Sequence, residues 1–220
     1  MENLYRLYAN VGEEPIPSGT IHVGVLPYTY SPDGQLLFIL GKEHFETDWK
    51  SALKYGPFGG GPERVDKSAQ AAASRECYEE SMGMFGRVQD IYTSILNAQI
   101  VYRSKKAIIY PMRVPFDPLL PKRYADVYGY FSKCMKETRT QKPYIPTCPD
   151  GFLEKISVDY FSVNDIIKKR GYMRKEWYDF FIQVMLRVGE IYRFALPEYH
   201  EYIRDTQKQL SQKTQIYYQI

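Results

Sequence analysis

Cysteine is scarce in this chain of 220 residues: Cys77, Cys134 and Cys148 form an odd set with no Cys-x-x-Cys pair. That argues against a disulfide framework and a zinc site, and it suits a reducing compartment. Long apolar runs are missing too, since no stretch approaches the roughly eighteen uninterrupted residues of a membrane span. The opening MENLYRLYANVGEEP has no basic start followed by an apolar run, so it does not read as a signal peptide. The expectation is an intracellular, cytoplasmic protein with no membrane partner. A strong excess of one charge is also lacking. The net charge of +3 is too mild to imply nucleic-acid binding by itself. Internal repeats and low-complexity tracts are not found.

What is present is ordinary globular material, with 44% hydrophobic and 25% charged residues, and one unusual count, 21 tyrosines. Tyrosine serves cores, stacking platforms and interfaces alike, so the count chooses no function, and a homodimer stays open. The length fits one domain with additions, predicted over 1–197, and the polar, glutamine-rich stretch over 198–220 reads as a tail that could form a last helix. Thr20–Gly41 reads as two strands around the turn Ser31-Pro32-Asp33-Gly34. GPFGGG at 56–61 reads as a flexible loop. Ser68–Met82 reads as a helix capped by Ser68 and stopped at Gly83. DIYTSILNAQIVY and KKAIIYPMRVPF read as two more strands, followed by a helix near Tyr124–Thr138 and a proline-containing loop over Thr140–Gly151. EKISVDYFSVND reads as a strand entering a helix near Asn164 or Asp165, and Glu176–Phe194 reads as a long helix. Mixed strands and helices give an α+β or α/β class.

The segment RECYEESMG carries the chemistry. On a helix, Glu76, Glu79 and Glu80 share a face spanning roughly a 100° arc. Ala69, Ala72 and Ala73 continue that face and would leave open space before the carboxylates. A solvated acidic surface is the ordinary outcome for such a cluster. The glycine-rich stretch upstream favours a second reading: oxygen ligands for Mg²⁺ beside a backbone that can approach phosphate closely. Arg75 would orient one carboxylate through a bidentate contact.

Gly60, Asp66, Arg75, Glu76, Cys77, Glu79, Glu80, Gly83 and Met84 together resemble the Nudix box. Three departures stand out. Asp66 replaces the usual Glu, eight residues rather than seven precede Arg75, and Ser81-Met82 puts two residues before Gly83 instead of one. The spacing of Arg75, Glu76, Glu79 and Glu80 is undisturbed. The resemblance implies an α+β, Nudix-like α/β/α sandwich with a mixed central sheet, an added helix and a C-terminal helical extension.

It also implies hydrolysis of the pyrophosphate linkage in a nucleoside diphosphate joined to another group, with Mg²⁺ or Mn²⁺ as cofactor. Glu76, Glu79, Glu80 and Gly60 would hold the metal. Catalysis would rest on Glu76, Glu79 and Arg75, with Glu154 a second candidate for the general base. Gly59 and Gly61 would face phosphate, and Phe58, Tyr28, Tyr30 or Tyr160 would stack on a base. Two substrate classes stay open, small nucleotide conjugates and the 5′ cap of RNA. The basic pairs Lys105-Lys106 and Lys122-Arg123 and the run Lys168-Lys169-Arg170 would serve the second. The competing reading is a catalytically weak or inactive binding or scaffold protein of the same fold.

Overall fold

The computed structural model describes residues 6–9, 12–45, 50–98, 100–139, 148–149, 151–179 and 181–182. The chain divides into two units, Met1–Tyr178 and Asp179–Ile220, and every element named below lies in the first. The expected domain boundary near 197 and the tail after it lie outside the described residues, as does most of the expected helix over Glu176–Phe194.

Among the described residues, eight strands form one mixed sheet. The N-terminal segment adds β1 (Arg6–Ala9), antiparallel to β6 (Ile100–Arg103), which in turn forms a hairpin with β7 (Ala107–Arg113). The predicted hairpin is β2 (His22–Tyr30) with β3 (Leu36–Glu43). Its turn closes by Gly34 N–H donating to Ser31 O at 2.9 Å, with Gly34 at φ 84°, which explains the glycine there. β2 runs parallel to β7 over His22–Tyr28, and this parallel pair makes the sheet mixed. β8 (Lys155–Phe161) covers the other edge of β3. The class is therefore α+β, a mixed sheet with helices packed against it.

Beyond the hairpin turn β2 and β3 diverge, and the glycine-rich stretch fills the gap. Tyr55–Gly56 (β4) pairs with β3, and Phe58–Gly60 (β5) pairs with β2. GPFGGG is thus largely sheet, not a free loop. Its glycines serve close approach of backbones: a β-carbon on Gly59 would lie 2.3 Å from Val23 O, and one on Gly24 2.6 Å from Phe58 O. Phe58 itself is fully buried and meets the Phe85 ring edge-on at 5.1 Å, so it is a core residue rather than a stacking platform.

Helix α1 (Ala69–Glu80) begins where expected, with Ser68 Oγ accepting from Ala71 N–H. Ala69, Ala72, Ala73 and Cys77 are fully buried with Val23, Val25, Ile39 and Phe58. The alanines therefore do not open space before the carboxylates. Their small size seats the helix close on β2 and β5. At its end, Met82 (φ 52°) and Gly83 (φ 72°) are both left-handed, and Gly83 N–H returns to Tyr78 O at 2.9 Å. The extra residue before Gly83 is thus absorbed in the turn, with Met82 buried, and the helix is not lengthened.

The stretch expected as a strand from Asp90 is instead α2 (Val88–Leu96); only Ile100–Arg103 is extended. Its β-branched content favours strand locally, yet Ile91 and Ile95 stand one helical turn apart and are both fully buried. Asp90 accepts from Arg87 N–H and from its guanidinium, fixing the first turn. Helix α3 (Leu120–Arg139) packs on β8, and α4 (Val163–Lys168) starts at the capping box of Ser162 and Asp165. Among the described residues no helix is long and apolar enough to cross a membrane.

Candidate active site

Arg75 organises one end of the sheet. Its Nε and Nη2 reach the two oxygens of Asp66 at 3.3 and 3.0 Å, a bidentate grip, and Nη2 also donates to Gly61 O at 3.3 Å. Glu63 N–H donates to Asp66 at 2.7 Å, so the long connection ahead of α1 is tied down in spite of its extra residue. Arg75 Nη1 meets Glu76 and Glu79 at 3.0 Å each and Glu63 at 3.4 Å. One guanidinium thus serves four carboxylates. Burial alone would lower its pKa, but the bonds to Asp66 and the charges of Glu76, Asp66 and Glu79 outweigh that and raise it.

Glu76 lies against Gly60, where a β-carbon would stand 2.5 Å from its Oε2. Desolvation pushes the Glu76 carboxyl up to about 7 against the pull of Arg75, with repulsion from Glu79 and Glu154 adding to it. Glu79 is raised by the same main cause, again opposed by Arg75, and it sits against Gly151, whose β-carbon would lie 2.9 Å from Glu79 Cβ. Glu154 is exposed, and its charge reaches both carboxylates. The structure therefore brings Arg75, Glu76, Glu79 and Gly60 together, while Glu154 acts on the two carboxylates through its charge alone.

Glu80 points elsewhere. Both its oxygens are engaged in the interior: Oε2 accepts from Gly59 N–H at 2.6 Å, and Oε1 lies 3.0 Å from Lys155 Nζ. Lys155 is fully buried, and its Nζ also meets Glu43 Oε1 at 2.5 Å, which Arg174 Nη1 reaches at 2.8 Å. Burying one charge costs several kcal/mol, about 3–5 kcal/mol when a partner is removed, so these groups stand only as a set. Burial raises the Glu80 carboxyl, Lys155 opposes that, and Glu43 reinforces it. His22 is held neutral nearby, lowered to about 3 by burial first and then by Arg174 and Lys155. Glu43, Lys155, Arg174 and His22 are functional candidates that the sequence reading missed. A bulge between Lys42 and Glu43 sets Lys155 opposite Glu43, and no residue pattern announces it.

The remaining candidates are placed as follows. Tyr28 is largely buried and meets Tyr30 edge-on at 6.3 Å; Tyr30 carries Arg113 over its ring at 5.3 Å. Tyr160 is half-buried, donates to Asp117 O at 2.8 Å and lies 5.3 Å from Phe116. Lys122 and Arg123 are paired with Asp126 and Asp117, and Lys169 and Arg170 lie over Phe161 and Tyr178, so these do not form a bare basic stripe.

A hard divalent cation suits the chemistry of Glu76 and Glu79: oxygen donors, little water, and negative charge in excess of Arg75. It does not suit Glu80 as placed. Among the described residues, no group of three or more His, Cys, Asp or Glu is arranged to hold a metal.

No family model matches the chain, and no curated protein matches it. Among solved structures, a mutT/nudix family protein from Listeria innocua is similar over 82% of this chain and 99% of that one, at 15% identity and a TM-score of 0.44. A likeness of that degree carries no functional argument, so the reading of this site rests on its own residues.

Proposed function

We propose that the protein hydrolyses a phosphoanhydride bond in a nucleoside diphosphate joined to another group, with Mg²⁺ or Mn²⁺ as cofactor. The observation that carries this reading is the convergence of desolvated Glu76 and Glu79 with Arg75 and the Gly60 backbone. Glu76 and Glu79 would hold the cation, with the Gly60 backbone beside them. When bound, the cation supplies charge neutralisation on the anhydride oxygens. Arg75 keeps both carboxylates and Asp66 in one frame, so the geometry exists before substrate arrives. Glu154, exposed and raising both carboxyls by its charge, would take the proton of the attacking water. Gly59 has given its N–H to Glu80, so Gly60 and Gly61 would be the backbone that faces the phosphates. Tyr160 is the retained candidate for base contact.

A second reading has one observation in its favour. Lys155 already neutralises Glu80 and Arg75 already gathers the others, as in a fold that binds a phosphorylated ligand without cleaving it. Phosphate release from nucleotide conjugates, capped RNA and uncapped RNA, each with Mg²⁺ or Mn²⁺, separates the two. Turnover abolished by Glu76→Gln and Glu79→Gln is expected. Absence of turnover on every substrate, or turnover indifferent to both changes, would leave the binding reading standing. The capped and uncapped arms divide RNA caps from small conjugates.

A further inference from the structure

The cluster of Glu43, Glu80, Lys155 and Arg174 is not absorbed by this chemistry. It is neutral as a set, two carboxylates against an ammonium and a guanidinium, with His22 uncharged beside it. The passage for the lysine is built: a β-carbon on Gly41 would lie 2.9 Å from Lys155 Cγ and 3.0 Å from its Cδ. From Glu80 the contacts lead outward. Oε2 holds Gly59 N–H, the next residue is Gly60, and Gly60 bears directly on the Glu76 carboxylate. Glu80 is also pinned through its own backbone, because the one hydroxyl proton of Tyr124 is shared between Glu80 O at 2.7 Å and Lys155 O at 3.0 Å.

We infer that Lys155 and Glu80 form a positioning pair: Lys155 withdraws Glu80 from the acidic face and turns it into a clamp on Gly59, which sets Gly60 against Glu76. This rests on the metal-site reading above and assigns Glu80 a different task from its neighbours. The carboxylates that face the ligand are then Glu76 and Glu79, and the third holds the floor beneath them. An outer partner of this kind typically shifts metal affinity or activity 10- to 100-fold when lost.

The test uses the full chain in four forms: unmodified, Lys155→Met, Glu79→Gln, and the double variant Lys155→Met with Glu80→Gln. Mn²⁺ binding is read by paramagnetic resonance on folded protein, and exchange of the Gly59 amide is read by mass spectrometry or NMR. Lys155→Met leaves Glu80 buried without its cation. It is expected to weaken Mn²⁺ binding roughly 10- to 100-fold and to speed Gly59 exchange. The double variant removes both charges, and the neutral side-chain amide introduced by Glu80→Gln still accepts the Gly59 N–H. It is expected to recover Mn²⁺ affinity to within about threefold of the unmodified protein and to restore Gly59 protection. Glu79→Gln is expected to lose Mn²⁺ binding with Gly59 protection intact. A double variant that protects Gly59 yet binds Mn²⁺ no better than Lys155→Met would make Glu80 a ligand and overturn the assignment. Unchanged affinity and unchanged Gly59 exchange in Lys155→Met would reduce the pair to packing. An unmodified protein that binds no Mn²⁺ would sink the metal-site reading, and Gly59 exchange would still decide for or against the clamp.

Discussion

Two missing β-carbons decide where charge can sit in this protein. Gly60 leaves room for the Glu76 carboxylate, and Gly41 leaves room for the Lys155 stem. Gly60→Ala therefore displaces Glu76 by clash with its carboxylate, the flexible end of the side chain. Phosphate release should fall about 10- to 100-fold, because small displacements of reacting groups carry penalties of that order, while thermal unfolding moves little. Gly129→Ala is the reference: its new methyl meets nothing within 4 Å, and activity should be unchanged. Arg75→Lys keeps the charge and loses the fork on Asp66. Steady-state kinetics should show kcat reduced by about tenfold or more, since a point charge cannot hold Asp66, Glu76 and Glu79 together.

Among the elements, α3 and the end of α1 make opposite predictions. Gly129 lies exposed within α3, so Gly129→Ala should raise stability by about 0.5–1 kcal/mol in urea unfolding. Met82 is left-handed yet buried. Met82→Gly gains about 1–2 kcal/mol of backbone relief and loses about 1.5–3 kcal/mol of burial, a net loss of about 1 kcal/mol by the same measurement. The sequence made several elements legible for local reasons. Ser68 caps α1, Ser31–Gly34 makes its turn, and the carboxylate face follows from helical spacing. α2 was not legible because Ile91, Tyr92, Thr93 and Ile95 are good strand residues, and only packing against α1 decides for helix. GPFGGG was misread because flexibility and close approach call for the same residue. The Lys155 cluster was invisible because its members come from distant parts of the chain, Glu43 on β3, Glu80 on α1 and Arg174 beyond α4, and a lysine in EKISVDYFSV carries no mark of burial.

For the molecule as a whole, the raised carboxyls set a pH dependence. Glu76 titrates near 7 in the fold and near 4.5 when unfolded, so between those values the folded state holds a proton that the unfolded state has released. In chelator, Glu76 should therefore contribute a loss of stability as pH rises from about 4.5 to 7, with Glu79 of the same sign. His22, lowered to about 3, contributes a gain between about pH 3 and 6.5. The difference between the unmodified protein and Glu76→Gln isolates the carboxyl part. Mg²⁺ should offset that loss once the carboxyls are ionised, above about pH 7. At a hundredfold excess over its dissociation constant it should add about 2.7 kcal/mol, roughly 5–10 °C in melting temperature. A pH profile of melting temperature in chelator that Glu76→Gln leaves unchanged would contradict the desolvated-carboxylate picture. The buried ion set has a kinetic side as well. Lys155 finds Glu43 across 112 residues of chain, and Arg174 finds Glu43 across 131. A lone ammonium cannot enter the interior ahead of its partners, so these contacts close together, after the sheet has brought β3 and β8 side by side. During refolding, secondary structure should return first and ligand affinity last, so that the appearance of a working site times the completion of the fold.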